Sequence, residues 1–190
     1  MAKAPIRLDL PRHTPDTAPE EVRETLRARE RELGMLPNIY GYFANAPGLL
    51  NAYLAADEEF RKNTALSPVE QEVVMLTISR ENGCTYCVSV HSWLADNFAK
   101  VPTEITDAIR ERREIPDSRL EALSRFTQHM LESRGLPSAG AVEAFRAAGF
   151  EDRHVLDVVH GLGLKTLSNY ANHLMHTELD GAFEDRAWSE

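Results

Sequence analysis

Residues 67–91 read SPVEQEVVMLTISRENGCTYCVSVH. Ser67 and Glu70 have the spacing of a helix capping box, and the proline after Ser67 occupies the first helical position, where its missing N–H does no harm. The pair Asn82-Gly83 then interrupts the helix. The stretch therefore predicts two successive helices joined by a tight turn, over about residues 68–81 and 84–99.

The same helical signals continue on both sides of this hairpin. Apolar residues recur at helical spacing, and turn residues such as Gly34 and Gly149 separate the segments. We expect further helices over about residues 18–33, 47–63, 103–112, 117–133, 139–148 and 152–179. No stretch alternates convincingly like a strand. The predicted fold class is therefore all-α, a bundle of about eight helices.

The N-terminal residues have a different composition. Residues 1–16 hold three prolines and predict an extended arm, which precedes a single helical domain over residues 17–190. The arm is expected either to lie loose or to wrap a neighbouring molecule. Thr17 and Glu20 have the spacing of another capping box, so we expect Thr17 to cap the first helix.

Charge and hydropathy exclude several classes of function. The net charge of −9 would repel a phosphate backbone, and the one dense basic cluster, Arg110-Glu111-Arg112-Arg113, is short. No apolar run approaches the ~20 residues that span a bilayer, and the N-terminus lacks the apolar run of a secretory signal. We expect a cytoplasmic protein that binds neither nucleic acid nor membrane.

The two cysteines are the chemically informative residues. Cys84 and Cys87 lie three residues apart, and His91 follows Cys87 by four, so all three share one face of a helix. A cysteine in the first turn of a helix is close to unpaired N–H groups and to the positive end of the dipole, which favour a thiolate. His91 could pass a proton or stabilise that thiolate. The pattern predicts a redox centre.

A carboxylate on the preceding helix could orient His91. Glu72 is the candidate that we favour, and Glu70 and Glu81 are its competitors, because spacing alone does not choose among the three.

Other uses of these residues stay open. Two cysteines can simply pack in a core, and Cys84, Cys87 and His91 could bind zinc with Glu72 as fourth ligand. No second Cys or His pair has knuckle spacing, so we expect no metal and no cofactor. His173 and His176 lie one turn apart without an acidic partner in register, which a polar helix face explains. Gly161 and Gly163 favour close helix contact rather than phosphate binding.

Glu72 with Cys84-Thr-Tyr-Cys87-x3-His91 resembles the alkylhydroperoxidase AhpD-like branch of the carboxymuconolactone decarboxylase family. The segments 66–72 and 167–173 also look like its peroxidase-related members, and the resemblance covers about residues 34–180. It implies an all-α fold with the motif on two adjacent core helices. It also implies a homo-oligomer, often a trimer or hexamer.

The resemblance further implies a thiol-dependent peroxidase. Cys87 would attack a hydroperoxide substrate, Cys84 would resolve the sulfenic acid to a disulfide, and Glu72 and His91 would form a proton relay. A dithiol of unknown identity would donate the electrons. Tyr86 stands where the founding peroxidase has histidine, so that histidine's role does not carry over. A non-enzymatic redox sensor, in which the pair merely closes and opens, is the alternative function.

Overall fold

The computed structural model describes residues 6–189, and within that range it contains nine α-helices, two shorter helical segments and no strand. The helices are α1 (Glu20–Leu33), α2 (Asn38–Phe43), α3 (Pro47–Asn63), α4 (Pro68–Glu81), α5 (Thr85–Leu94), α6 (Thr103–Arg110), α7 (Ser118–Glu132), α8 (Ala139–Ala147) and α9 (Asp152–Met175). A π-helical turn (Ala95–Ala99) extends α5, and a 3-10 helix (Gly181–Arg186) follows α9. The predicted all-α fold class is confirmed.

Helix α4 is the centre of the bundle. Its residues from Glu70 to Arg80 are all buried, and it packs against α5, α6, α7 and α9. A helix that is apolar on most sides is stable only when other helices surround it. The predicted capping box begins this helix, because the Ser67 side chain accepts from the Glu70 N–H and the Glu70 carboxylate accepts from the Ser67 N–H. The start of the central helix is therefore fixed by local sequence.

The other predicted helices agree with the structure to within a few residues, but the capping of the first helix was wrong. Helix α1 begins at Glu20 after Pro19, without a side-chain cap, and the Thr17 hydroxyl accepts from the Thr14 N–H instead. Two short segments were not predicted as separate elements: α2, and the 3-10 helix beyond α9.

The described part of the N-terminal arm lies against the body of its own chain. The Leu8 N–H donates to the Leu174 carbonyl, and the His13 N–H donates to the Gly41 carbonyl. A Cβ at Gly41 would lie 2.6 Å from the His13 carbonyl oxygen, so glycine allows this close approach. Residues 1–5 of the predicted arm fall outside the described residues.

Among the described residues, no helix combines the length and the apolar character that a membrane crossing requires.

Gly161 lies where α9 crosses α3 and α4, as the sequence indicated. A Cβ built there would lie 2.8 Å from Val74 Cγ1 and 3.4 Å from Phe60 Cε2. We predict that Gly161→Ala lowers the free energy of unfolding by about 1–3 kcal/mol, because the packed core must shift to admit the methyl group. Urea unfolding at fixed protein concentration measures this.

Gly140 in α8 is the matched control, since a Cβ there meets nothing within 4 Å. We expect Gly140→Ala to be neutral or to stabilise the protein by up to about 0.5 kcal/mol. An unfolding midpoint for Gly161→Ala at or above that of the unaltered protein would contradict the close crossing.

Candidate active site

The turn between α4 and α5 places both cysteines at the start of α5. Gly83 adopts a left-handed φ of 67°, and the Cys84 N–H then donates back to the Ser79 carbonyl. Cys84 is the N-cap of α5, and its Sγ accepts from the Cys87 N–H at 3.4 Å. The residues are 1% and 3% exposed, and both are free thiols. The structure thus brings the predicted pair together at a helix start.

The environment of Cys87 favours a thiolate. Its burial alone would raise the pKa, but a hydrogen bond with Cys84, the positive charge of Lys165 and the Asn172 amide lower the pKa of Cys87 to about 5. The Asn172 Nδ2–H donates to Cys87 Sγ at 3.2 Å, and the Thr177 hydroxyl donates to Asn172 Oδ1 and so fixes that amide. Cys87 is therefore ionised at neutral pH.

Cys84 behaves in the opposite way. Burial raises its pKa well above the ordinary value, and its hydrogen bond with Cys87 raises it further. One sulfur atom of the pair is thus a thiolate while the other keeps its proton and donates it to that thiolate. Cys87 therefore has the protonation state of a nucleophile, and Cys84 is a neutral thiol beside it.

Glu72 is the carboxylate that contacts His91. Glu72 Oε2 lies 2.9 Å from His91 Nδ1, and both side chains are buried. Of the two competitors, Glu70 belongs to the capping box and pairs with Arg119, whereas Glu81 pairs with Arg112. The short Asn-Gly turn allows α4 and α5 to bring Glu72 and His91 into contact.

Lys165 of α9 is a site residue that the sequence reasoning missed. It is 1% exposed, and its Nζ lies 2.8 Å from His91 Nε2. A lysine ammonium only donates and an ionised carboxylate only accepts, so His91 donates from Nδ1 to Glu72 and accepts from Lys165 at Nε2. Burial, followed by the charge of Lys165, lowers the pKa of His91 to about 4. His91 is therefore a neutral imidazole of defined tautomer.

Arg61 of α3 contacts Glu72 at the other end of this row of side chains. Its Nη1 lies 2.6 Å from Glu72 Oε1. Burial would raise the pKa of Glu72, but His91 and Arg61 together lower it, so the carboxylate stays ionised. The row of contacting side chains runs from Arg61 through Glu72 and His91 to Lys165. The positive charge of Lys165 in turn stabilises the Cys87 thiolate.

The expectation that His91 itself serves the cysteines needs correction. Both of its ring nitrogens are already bonded, to Glu72 and to Lys165. The cation whose charge lowers the pKa of Cys87 is Lys165. A signal for this residue was present in the sequence: the buried face of α9 carries polar residues at helical spacing, namely Lys165, Ser168, Asn169 and Asn172. Such polar residues on a core-facing stripe mark a buried polar site.

Tyr86, between the two cysteines, has a structural contact of its own. Its hydroxyl donates to Asp180 Oδ2 at 2.7 Å, and Asp180 Oδ1 accepts from the Asn38 N–H. The tyrosine therefore ties the start of α5 to the segment between α9 and the 3-10 helix.

A cavity of about 650 Å³ leads to Cys87. Glu72, His91, Lys165 and Arg61 also line it. Its walls are mainly apolar and aromatic: Leu33, Met35, Ile39, Tyr40, Tyr53, Val90, Trp93, Leu94, Phe98 and Phe183. Cys84 does not line this cavity. A volume of this size suits a small organic molecule.

The π-helical turn shapes the mouth of the cavity. It places Phe98, which is 71% exposed, 5.5 Å from the Trp93 ring, and Trp93 also packs edge-on against Phe183. Turns of this kind occur often at functional sites because they redirect a side chain within a helix.

Among residues 6–189, no group of three or more His, Cys, Asp and Glu side chains is arranged to hold a metal ion. The expected absence of a metal and of a cofactor stays a prediction.

The fold and the site define an all-α protein with a buried cysteine pair, of which Cys87 lines an apolar cavity. Residues 47–128 match the model of the carboxymuconolactone decarboxylase family. The resemblance predicted from the motif is confirmed over this part of the chain. Lys165 and Asn172 lie beyond the matched residues. No curated protein sequence matches the chain significantly.

Solved structures share the fold over nearly the whole chain. An uncharacterized peroxidase-related protein from Silicibacter sp. TM1040 superimposes with a TM-score of 0.81 at 24% identity, covering 97% of this chain and 96% of its own. A peroxidase-related protein from Ralstonia eutropha JMP134, described as an alkylhydroperoxidase AhpD core, gives a TM-score of 0.80 at 23% identity, with coverages of 92% and 93%. The debrominase Bmp8, solved in complex with 2,3,4-tribromopyrrole, gives a TM-score of 0.71 at 16% identity, covering 88% of this chain and 89% of its own. At these identities the likeness concerns the fold.

Removing the charge of Lys165 tests the electrostatics of the site. We predict that Lys165→Met raises the pKa of Cys87 by about 1–3 units, because a neighbouring positive charge no longer favours the thiolate. Thiolate absorbance near 240 nm against pH measures the shift. Lys62→Met, which removes an exposed lysine, is the control and should leave the titration in place. An unmoved midpoint in Lys165→Met would show that Lys165 does not stabilise the thiolate.

Proposed function

We propose that this protein is a thiol peroxidase that reduces organic hydroperoxides at Cys87, with Cys84 as resolving cysteine. The observation that carries the proposal is a thiolate at the foot of an apolar cavity, hydrogen-bonded to a second thiol and flanked by a buried ammonium. A thiolate reacts with peroxide, whereas a thiol does not, and a neighbouring thiol is what converts a sulfenic acid to a disulfide. The family and the peroxidase-related neighbours support a peroxidase-type role.

The proposed reaction has two steps. The Cys87 thiolate attacks the terminal oxygen of ROOH, the O–O bond breaks, and Cys87 becomes a sulfenic acid while RO⁻ leaves. Lys165 donates a proton to RO⁻ and gives ROH. The Cys84 sulfur then attacks the Cys87 sulfur, the S–O bond breaks, and hydroxide leaves with the Cys84 proton as water. The products are ROH, water and a Cys84–Cys87 disulfide.

Glu72 and His91 would hold Lys165 in place for that donation. His91 Nε2 accepts from Lys165 and His91 Nδ1 donates to Glu72, and the Lys165 amine that has given up its proton regains one from water. Arg61 keeps Glu72 ionised, which holds the imidazole in one tautomer. Glu72 and His91, predicted as a proton relay, would thus act on the cysteines by positioning Lys165, which donates the proton.

The cavity points to a substrate with an apolar body. Most of its lining side chains are aromatic or aliphatic. Burial of an apolar R group would contribute about 25 cal/mol of binding free energy per Å². Hydrogen peroxide has no such group to bury. A dithiol of unknown identity would reduce the disulfide again.

We predict that His91→Ala and Glu72→Gln each lower hydroperoxide turnover by up to about 10²- to 10⁴-fold, because Lys165, the proton donor, loses the partners that position it. The double variant should lose little more than the worse single variant, because residues that act as one unit are non-additive. Steady-state turnover of cumene hydroperoxide with dithiothreitol measures both effects.

Glu81→Gln is the control for this series, since Glu81 pairs with Arg112 away from the cavity. Its turnover should equal that of the unaltered protein. Multiplicative losses in the double variant would contradict a single positioning unit.

A non-enzymatic redox sensor is the second candidate, and the near-complete burial of both sulfur atoms is the observation that favours it. The sensor would form the disulfide once per oxidation without multiple turnover. Sustained consumption of hydroperoxide with a dithiol supports the peroxidase. Stoichiometric oxidation that stops after one equivalent supports the sensor.

We also propose that the protein is a homo-oligomer, a trimer or a hexamer by family resemblance. The outer face of α9 supports this, because an uncharged stripe at helical spacing is exposed there: Leu156, Val159, Gly163, Thr166, Tyr170 and Leu174. Apolar stripes of this kind commonly mark protein contacts.

We predict that Leu156→Glu combined with Tyr170→Glu shifts the protein to monomers, because the charges would have to be buried in the contact. Light scattering at micromolar concentration measures the mass. Leu136→Glu removes an apolar side chain that is 81% exposed outside α9 and should leave the mass unchanged. A mass near 21.4 kDa for the unaltered protein would contradict oligomerisation.

A further inference from the structure

The two sulfur atoms of the pair border different spaces. Cys87 lines the large apolar cavity, whereas Cys84 lines a separate recess of about 20 Å³ between the start of α5 and the end of α9. Thr85, His173 and His176 line the same recess. The cavity that would receive a hydroperoxide is therefore not the space that reaches Cys84.

The separation of the two spaces matters because thiol–disulfide exchange has a preferred direction of attack. The attacking thiolate approaches one sulfur from the side opposite the S–S bond, and the other sulfur leaves. An attack on Cys84 that expels Cys87 thus comes from the side of Cys84 that faces away from Cys87. Of the two spaces, the recess is the one that Cys84 borders.

The chemistry of the leaving group selects the same sulfur. A thiol with a lower pKa leaves faster. The pKa of Cys87 is lowered, with Lys165 and Asn172 stabilising the thiolate, whereas burial raises the pKa of Cys84. Expulsion of Cys87 by attack at Cys84 is therefore the favoured direction.

His173 supplies a basic group in the recess. Its Nε2 is buried and, among the described residues, has no hydrogen-bond partner. Burial lowers the pKa of His173, so the ring is neutral at pH 7 and can accept a proton. The other titratable groups that line the recess are Cys84, Tyr86 and His176.

We propose that this recess is the site where a dithiol reductant attacks the oxidised pair, at Cys84, with His173 accepting the proton of the attacking thiol. The inference rests on the proposed redox function of the pair. It names the face on which the electron donor binds.

The step balances as follows. The RSH proton passes to His173, RS⁻ attacks Cys84 Sγ, the Cys84–Cys87 bond breaks, and Cys87 leaves as a thiolate. The second thiol of the reductant loses its proton to water and attacks the mixed disulfide. Cys84 then leaves and takes the proton from His173. The dithiol is oxidised to a disulfide, and one proton is released.

Mapping the mixed disulfide tests the attacked atom. The protein is oxidised with diamide, which avoids any need for peroxidase activity, then treated with 2-mercaptoethanol and quenched with acid. Peptide mass spectrometry should find the adduct on Cys84. An adduct on Cys87, or no Cys84–Cys87 disulfide after diamide, would overturn the inference. Normal reduction by thiols in a protein that fails to turn over hydroperoxide would overturn the peroxidase alone.

Two variants, one at the recess and one in the large cavity, test which space the reductant uses. Thr85→Phe covers the recess and should slow reduction of the diamide-formed disulfide by dithiothreitol at least tenfold (about 1.4 kcal/mol), with oxidation by cumene hydroperoxide unchanged. Val90→Phe narrows the large cavity instead and should slow oxidation only. Stopped-flow tryptophan fluorescence follows both reactions. Equal rates of reduction in Thr85→Phe and the unaltered protein would overturn the proposed face.

His173→Gln tests the base with a readout that packing alone would not change. Reduction by dithiothreitol should slow about tenfold at pH 7, and the deficit should shrink as the pH rises toward about 10, where the thiol ionises in solution without a base. A deficit of the same size at both pH values would mean that His173 only shapes the recess.

Discussion

The site depends on the burial of one ammonium group, that of Lys165, against a neutral imidazole. A charge removed from water is tolerated only with compensating partners. His91 accepts one hydrogen bond from Lys165 but brings no negative charge, since Glu72 on its far side is already paired with Arg61. The Cys87 thiolate balances the remaining positive charge, so thiolate and ammonium are stabilised together in the interior.

The packing of four helices holds this arrangement. Helix α3 supplies Arg61, α4 supplies Glu72, α5 supplies the cysteines and His91, and α9 supplies Lys165 and Asn172. Gly161 lets α9 approach α4 closely one helical turn before Lys165, so the crossing brings the lysine to His91. The Asn-Gly turn sets the other contact, because it folds α5 back onto α4 at a fixed register. The helix crossings that pack the core therefore also position the site residues.

Much of this was predictable from local sequence. The capping box and the Asn-Gly turn define the α4–α5 hairpin, and because only 19 residues separate Glu72 from His91, their contact followed from a short connection. Lys165 is 74 residues from His91, and its contact depends on how α9 crosses the bundle, which no local pattern specifies. Arg61 is close to Glu72 in sequence, and it was missed because their contact depends on how α3 packs against α4. The Thr17 cap failed because a local turn with Thr14 competed for the same hydroxyl.

The protonation state of His91 is the point on which the account depends most directly. ¹⁵N NMR of the imidazole ring in the reduced protein at pH 7 measures it. We predict a neutral ring with its proton on Nδ1, because Glu72 accepts there and Lys165 donates at Nε2. An imidazolium, or a neutral ring protonated at Nε2, would contradict the account, since Lys165 would then not be the donor to His91.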